Sequence, residues 1–292
     1  MKRIISVCLI LAMLLNICGC VATRMEPVRE TKNGPIKTDI VPTQKQTEEP
    51  TTKPLPVFAA MSYYKADKLA AYEAYKQLHP EMSIEDVVTH VNIGLDTPFY
   101  SNVKEIENKS DILVLCNKYN TLGADYEPED LVDMPYTYAY ANQRMRKVAA
   151  EAFYKLSDAA KADGYTIVAA STYRTYDHQK NLYAGYVASK GQEAADLCSA
   201  KPGTSEHQTG LAVDVTDMVL PYDSFGETEA YIWAKDNIHK YGFIIRYAEG
   251  KTPITGYKTE EWHFRYVGVD IATQIYELGI TYDEYYVRYL AQ

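Results

Sequence analysis

The sequence predicts an α+β fold: a small, mostly antiparallel sheet with helices packed on it, preceded by a small helical unit. Five short apolar runs are typical of strands: residues 112–115, 165–170, 211–215, 243–247 and 262–267. Longer segments with apolar residues at helical spacing lie between them, as at residues 142–163. A chain of 292 residues with 47% hydrophobic content is long enough and apolar enough to bury a sizeable core.

The N-terminus has the pattern of an export signal. A basic start, Met1-Lys2-Arg3, precedes an apolar run that is shorter than the roughly 20 residues a membrane-spanning helix needs. The ending Ile17-Cys18-Gly19-Cys20 resembles a bacterial lipoprotein signal, which implies removal of residues 1–19 and lipidation of Cys20. An ordinary secretory signal, cut a little later, is the alternative. We therefore expect an exported protein, lipid-anchored to the outer face of the bacterial cytoplasmic membrane and facing the cell wall.

Residues 20–57 predict a disordered tether behind the anchor cysteine. Six of the chain's 13 prolines fall between Val21 and Val57, and no aromatic residue does. Such a composition cannot bury a core. The formal net charge of −9 also argues against nucleic acid as a partner, because an acidic chain is repelled by phosphates.

Residues 58–110 predict a small helical unit. Apolar residues at helical spacing run from Ala66 to His79, and Pro80 stops that helix. Ser83 begins a pattern similar to a capping box, which opens a second helix over residues 84–91. We expect this unit to pack against the following domain rather than to bind the cell wall itself.

Residues 111–292 predict the main domain. Its long helix over 142–163 ends at Gly164, and the strand over 165–170 delivers Ser171-Thr172-Tyr173-Arg174 at its C-terminal end. Thr175 can then cap a helix over residues 176–190. Three further helices are expected over residues 228–241, 268–278 and 283–290, and residues 248–258 form a loop that is a candidate lid.

The stretch from Ser205 to Val215 carries a candidate metal site. Apolar residues alternate from Leu211 to Val215, which turns Asp214 to the opposite face of a half-buried strand. His207 lies in the preceding loop, where Gly210 lets the backbone bend, and His263 lies on a second strand. Two imidazoles and a carboxylate suit a first-row divalent ion, and three protein ligands are typical of a catalytic zinc site.

Two neighbouring carboxylates compete for the role of general base. On a regular strand Glu261 shares a face with His263, whereas Glu260 points away, so simple alternation favours Glu261. Glu260 reaches the metal only if the chain turns between Glu260 and Trp262.

The motif Ser-x-His-x-x-Gly-x-Ala-x-Asp, followed by Glu-x-Trp-His and preceded by Ser-x-Tyr-Arg, resembles the zinc D-alanyl-D-alanine carboxypeptidases of the VanY type. The resemblance covers roughly Asp111 to the C-terminus. It implies one Zn²⁺ held by His207, Asp214 and His263, with Glu260 as catalytic base, and we follow it in preferring Glu260 over Glu261. It also implies that Arg174 polarises the scissile carbonyl and that Gln179 belongs to the substrate pocket. Ser205 either hydrogen-bonds substrate or stiffens the turn.

The expected reaction is hydrolysis of the terminal D-Ala from peptidoglycan stem peptides by a monomeric enzyme. Arg174, Arg246 and Arg265 are candidates for binding the substrate's free carboxylate, although Arg265 is alternatively a strand-surface charge. The same resemblance includes L,D-carboxypeptidases and endopeptidases acting on these peptides. From other classes, an iron oxygenase and a non-catalytic metal-containing wall-binding protein are the alternatives. Cys116 and Cys198 form one disulfide or stay as two free thiols.

Overall fold

The computed structural model describes residues 56–291. The expected signal peptide, Cys20 and nearly all of the expected tether lie outside the described residues. Among residues 56–291, no helix combines the length and the apolar character needed to cross a lipid bilayer.

Two α-helices come first in the described residues, four short strands follow them, and helices separate the remaining strands. The strands are β1 (Lys104–Glu105), β2 (Asn120–Thr121), β3 (Leu131–Asp133), β4 (Arg144–Arg146), β5 (Val168–Ser171), β6 (Ala212–Thr216), β7 (Phe243–Tyr247) and β8 (Glu260–Tyr266). The α-helices are α1 (Leu69–Leu78), α2 (Ile84–Ile93), α3 (Lys147–Ala162), α4 (Tyr176–Lys190), α5 (Gln192–Cys198), α6 (Glu229–Asn237), α7 (Thr252–Thr255), α8 (Val269–Leu278) and α9 (Tyr282–Tyr285). One turn of 3-10 helix, Glu206–Thr209, precedes β6, and a π-helical turn, Tyr286–Leu290, follows α9.

The main sheet has four strands in the order β5-β6-β8-β7, and all its pairs are antiparallel. This confirms the predicted fold class. Val213 and Val215 of β6 pack into the main core with Phe153 of α3, while α8 and α9 form a second core with Ile244 of β7. Helices therefore cover both faces of the sheet, and Asp214 points away from the main core.

Strand β8 carries a bulge beside the site. Ile245 of β7 pairs with Phe264, and Tyr247 pairs with Glu260, so four residue steps on β8 lie opposite two on β7. Extra residues in one strand bend it and re-aim its side chains. The direction of the Glu260 side chain therefore cannot be deduced from the regular alternation of side chains along a strand, starting at His263.

The N-terminal helices pack together and against the C-terminal turn. Ser83 caps α2 by accepting a hydrogen bond from the Asp86 amide, as the sequence predicts. On the C-terminal side, Arg288 donates to the Thr89 hydroxyl at 3.0 Å and to the Glu85 carboxylate at 2.8 Å. This basic residue therefore ties α2 to the last turn of the chain.

Three local predictions are wrong. Residues 112–115 form no strand: residues 112–113 lie in a turn, and the carbonyls of Ile112 and Val114 accept hydrogen bonds from the Arg265 guanidinium instead of from a neighbouring strand. The helix expected from residue 142 begins only at Lys147, since residues 144–146 pair with β3 as a strand. Strand β6 is buried along its whole length rather than half-buried, and on its second face Asp214 lies against His207 and His263.

Candidate active site

His207, Asp214 and His263 converge on one point. Their candidate ligand atoms all lie within 4.8 Å of one another, and all three side chains are buried. His207 comes from the 3-10 turn, Asp214 from β6 and His263 from β8. The cross-strand pairing of Asp214 with His263 sets two of the three side chains next to each other.

Gly210 connects the 3-10 turn that carries His207 to strand β6. Its backbone has φ +67°, a left-handed conformation that favours glycine. A Cβ at this position would also lie 2.9 Å from the Leu131 side chain and 3.0 Å from that of Arg146. A larger residue at position 210 would therefore be strained and would displace the loop that carries His207.

Each histidine ring uses one nitrogen toward the cluster and the other toward an outer partner. His207 Nδ1 donates to the Thr172 carbonyl at 2.6 Å, since a carbonyl can only accept, and His207 Nε2 lies 3.3 Å from Asp214 Oδ2 without making a hydrogen bond. His263 Nδ1 lies 3.0 Å from Asp214 Oδ1, and its Nε2 lies 3.4 Å from Glu206 Oε2. Metal-binding histidines have this arrangement.

The charges in the cluster shift the pKa values in opposite directions. Burial alone would raise the pKa of Asp214, but the two neighbouring histidines hold it far below its usual range. Burial, together with the charge of Arg174, lowers the pKa of His207 to about 4. Burial opposes protonation of His263 as well, yet hydrogen bonds to Asp214 and Glu206 raise its pKa to about 9. The cluster therefore combines an ionised carboxylate with a neutral imidazole, a donor set suited to a cation.

Glu260 lines the same pocket as the three residues, whereas Glu261 does not. Burial raises the pKa of Glu260 to about 7. Glu261 packs against Gly226, where an added Cβ would lie 2.8 Å from the Glu261 side chain. The prediction from strand alternation was wrong, because the bulge in β8 turns Glu260 into the pocket.

The remaining predicted site residues also line this pocket. Arg174, Gln179 and Ser205 all contribute to its wall. Among the described residues, Arg174 Nε and Gln179 Oε1 are buried polar atoms without a hydrogen-bond partner. The Gln179 amide nitrogen is held by the Ser199 hydroxyl and the Ala200 carbonyl. A donor and an acceptor thus remain available to a bound molecule.

Arg246 and Arg265 take a different role from the one predicted. Both are fully buried, and both donate to the carboxylate of Glu206, Arg246 at 2.8 Å and Arg265 at 3.0 Å. Neither lines the pocket in the described part of the chain, so they are poor candidates for binding a substrate carboxylate. Arg265 is also no surface charge. The cations that do line the pocket are Arg174, Lys190 and Lys258.

Sequence reasoning missed Glu206 and the aromatic walls. Glu206 lies directly before His207, and this position was the only sequence signal for it. Tyr247 packs on the His263 ring with the ring centroids 4.9 Å apart, and Tyr222 packs edge-on against Trp262. The expected lid loop contributes Tyr257 and Lys258 to the pocket. Cys198 lines the pocket and Cys116 is buried; both are free thiols.

Sequence comparison links this site to a known family. The family model of VanY, described as D-alanyl-D-alanine carboxypeptidase, matches residues 142–269, which contain all of the site's predicted side chains. The YodJ protein of Bacillus subtilis (strain 168) is 40% identical over 208 residues, which cover 67% of this chain and 76% of YodJ.

The solved structures that are similar to this chain include the following two. The LdcB LD-carboxypeptidase has 42% identity and a TM-score of 0.59, covering 64% of this chain and 91% of LdcB. A mutant of the vancomycin resistance D,D-pentapeptidase VanY, solved in complex with Zn(II), has 38% identity and a TM-score of 0.52, covering 59% of this chain and 97% of the VanY chain. Because the family model spans the whole metal cluster and most of YodJ is matched at high identity, this chain belongs to the VanY family of D-alanyl-D-alanine carboxypeptidases.

Proposed function

We propose that this enzyme is a zinc-dependent D,D-carboxypeptidase that hydrolyses the terminal D-Ala from peptidoglycan stem peptides. The observation that carries the proposal is the composition of one pocket wall, in which the metal cluster, Glu260 and Arg174 meet. The description of the matched family supports a D-Ala-D-Ala terminus as the substrate class.

The residues of the cluster fit zinc. Two imidazole nitrogens and one carboxylate oxygen are ligands that zinc takes, and three protein ligands are the usual number in catalytic zinc sites. His207 Nε2 is buried without a hydrogen bond among the described residues, and a metal would satisfy it. The Zn(II) complex of the similar VanY structure supports the same ion. When bound, zinc lowers the pKa of a water molecule and polarises the scissile carbonyl.

Glu260 supplies the general base. Its carboxylate is buried beside the cluster and its pKa is raised to about 7, which suits a group that must both take and return a proton near neutral pH. Glu260 takes the proton from the attacking water and passes it to the nitrogen of the departing D-Ala. Proton transfer by a positioned side chain typically contributes a factor of about 10²–10⁴ in rate.

Arg174 and Gln179 position the peptide. The guanidinium of Arg174 provides a free buried donor for the carbonyl oxygen, where negative charge develops as the water attacks. The unpaired Oε1 of Gln179 accepts a hydrogen bond from a substrate N–H. Lys190 and Lys258 are exposed at the pocket and provide positive charge for the substrate's carboxylates.

An L,D-carboxypeptidase is the second candidate, because the LdcB LD-carboxypeptidase matches this chain with a higher TM-score than the VanY structure does. Purified stem peptides separate the two. The D,D-activity removes one D-Ala from a peptide ending in D-Ala-D-Ala and leaves the product intact. The L,D-activity instead shortens a peptide that ends in a single D-Ala, and a preference for that substrate would replace our first proposal.

The N-terminal sequence supports a cellular location for this reaction. A lipid anchor at Cys20 would hold the enzyme at the outer face of the membrane, below the cell wall that contains its substrate. Labelled fatty acid should be incorporated into the wild-type protein and not into the Cys20→Ala variant. Equal labelling of the two proteins, or no labelling of the wild type, would contradict the anchor.

A further inference from the structure

We infer that Glu206 is a positioning residue for the metal centre: its carboxylate fixes the His263 ring so that Nδ1 faces the metal. The inference rests on the proposed zinc site and extends it to a residue outside the ligand set. Glu206 occupies the position before His207, so two consecutive residues of one 3-10 turn serve the site. His207 is a metal ligand, and Glu206 orients a second ligand, His263.

The two oxygens of Glu206 have separate partners. Oε1 accepts from Arg246 Nε at 2.8 Å and from Arg265 Nη1 at 3.0 Å. Oε2 lies 3.4 Å from His263 Nε2. One oxygen therefore accepts from both guanidinium groups, and the second is left for the imidazole.

Burial makes this arrangement rigid. The side chains of Glu206 and Arg265 are completely buried, and that of Arg246 is nearly so. A carboxylate in such surroundings is stable only when it is paired and hydrogen-bonded, so it cannot turn toward solvent. The two arginines thus hold Glu206 in the one orientation that presents Oε2 to His263.

An imidazole that binds a metal must be neutral, and the contact with Glu206 selects the tautomer of His263 in that state. A carboxylate accepts a hydrogen bond, so Nε2 carries the proton and Nδ1 has a free lone pair beside Asp214 Oδ1, 3.0 Å away. A ring turned over by about 180° would exchange Nδ1 with Cδ2 and Nε2 with Cε1, which would remove the ligand nitrogen from the cluster and the hydrogen-bond donor from Glu206. The ring of Tyr247, packed 4.9 Å from that of His263, supports the same placement.

The two histidines differ in the strength of their outer partners. His207 donates to a neutral backbone carbonyl, that of Thr172, whereas His263 faces a charged carboxylate. A carboxylate is the stronger acceptor and makes the imidazole a better metal ligand. We therefore expect the zinc affinity to depend on Glu206.

Asp283 provides a matched control. It is buried to the same degree and accepts from Arg246 at 2.6 Å and from Asn117 at 2.8 Å, yet it has no contact with His263. Glu206→Gln and Asp283→Asn each remove one negative charge from the same buried network. Only Glu206→Gln alters the partner of the metal ligand.

The test is a zinc titration of the full chain in competition with a chromophoric chelator. We expect Glu206→Gln to weaken zinc binding by about 10–100-fold, and Asp283→Asn to weaken it by less than about threefold. An equal loss in both variants would show a general effect of the buried network and would overturn the inference. Unchanged affinity in Glu206→Gln would overturn it too.

A second measurement needs no variant and so does not depend on whether Glu206→Gln folds. Nitrogen NMR of histidine in the zinc-loaded wild-type protein reports which ring nitrogen of His263 carries the proton. We expect a protonated Nε2 with slow solvent exchange; a protonated Nδ1 would contradict the inference. Failure of the wild-type chain to bind zinc would instead refute the proposed function, so the two failures are distinguishable.

Discussion

Glu260 and Glu261 are consecutive residues on one strand, yet Glu260 lines the pocket of the metal cluster while Glu261 packs against Gly226 outside it. The bulge between β7 and β8 produces this separation. The bulge therefore makes only Glu260 available as a base. A variant of Glu261 can serve as the control for a variant of Glu260.

Replacing Glu260 by Gln should abolish the general base and leave the zinc ligands intact. We expect kcat to fall by about 10²–10⁴-fold while the zinc content stays at one ion per chain. Steady-state hydrolysis of a D-Ala-D-Ala peptide, with metal analysis of the same samples, measures both. Glu261→Gln should keep nearly full activity. If the loss occurred in Glu261→Gln instead, the choice of base would be wrong.

The activity should fall on the acid side of neutrality. A general base works only when deprotonated, so kcat/KM decreases as the pH drops below the pKa of Glu260. Burial raises that pKa to about 7, and the positive charge of bound zinc would lower it, which places the acid limb below neutral pH. A pH profile of kcat/KM measures this limb. A rate that rose as the pH fell would contradict a role for Glu260 as the base.

Lys190 and Lys258 should contribute to substrate binding through charge. Neither ammonium forms an ion pair with a carboxylate among the described residues, and both line the pocket. We expect Lys190→Gln and Lys258→Gln to raise KM several-fold, about 1 kcal/mol in binding, with little change in kcat. The control is Lys180→Gln, an exposed lysine of the same helix as Lys190 that does not line the pocket. An equal effect in the control would exclude a local role.

Arg288 should stabilise the N-terminal helices against the main domain. Its guanidinium contacts Thr89, Glu85 and Asp86 of α2 from the C-terminal turn. Because the side chain is mostly buried while the two carboxylates are partly exposed, we expect Arg288→Ala to lower the free energy of unfolding by about 1–3 kcal/mol. Denaturant unfolding measures the change. Lys147→Ala, which breaks an exposed ion pair, should cost less than about 0.5 kcal/mol, and a loss of similar size in both would contradict this role.

The metal cluster could be predicted because two short sequence motifs contain its residues. His207, Asp214 and His263 are recognisable from residue identity and short spacing, and β7 was predicted with the bounds that the structure has. The capping residues Ser83 and Thr175 also accept the expected hydrogen bonds, since a cap depends on neighbours three residues away.

The errors involve contacts between distant parts of the chain. The β8 bulge depends on pairing with β7, and nothing within residues 260–263 indicates it. Arg265 takes the carbonyls of a segment about 150 residues earlier, which removes the strand expected there. Glu206 was overlooked for the same reason, because its partners, Arg246, Arg265 and His263, lie on strands that only the fold brings together.

Hydrolysis of a D-Ala-D-Ala terminus by this enzyme should require zinc. The full chain is stripped with a chelator, divided, and one half is reloaded with zinc; each half is then incubated with a purified stem peptide ending in D-Ala-D-Ala. Mass spectrometry of the products should show loss of one D-Ala residue in the zinc-loaded half and no loss in the stripped half. Equal release of D-Ala by both halves would contradict the account, as would an intact peptide after incubation with the zinc-loaded enzyme.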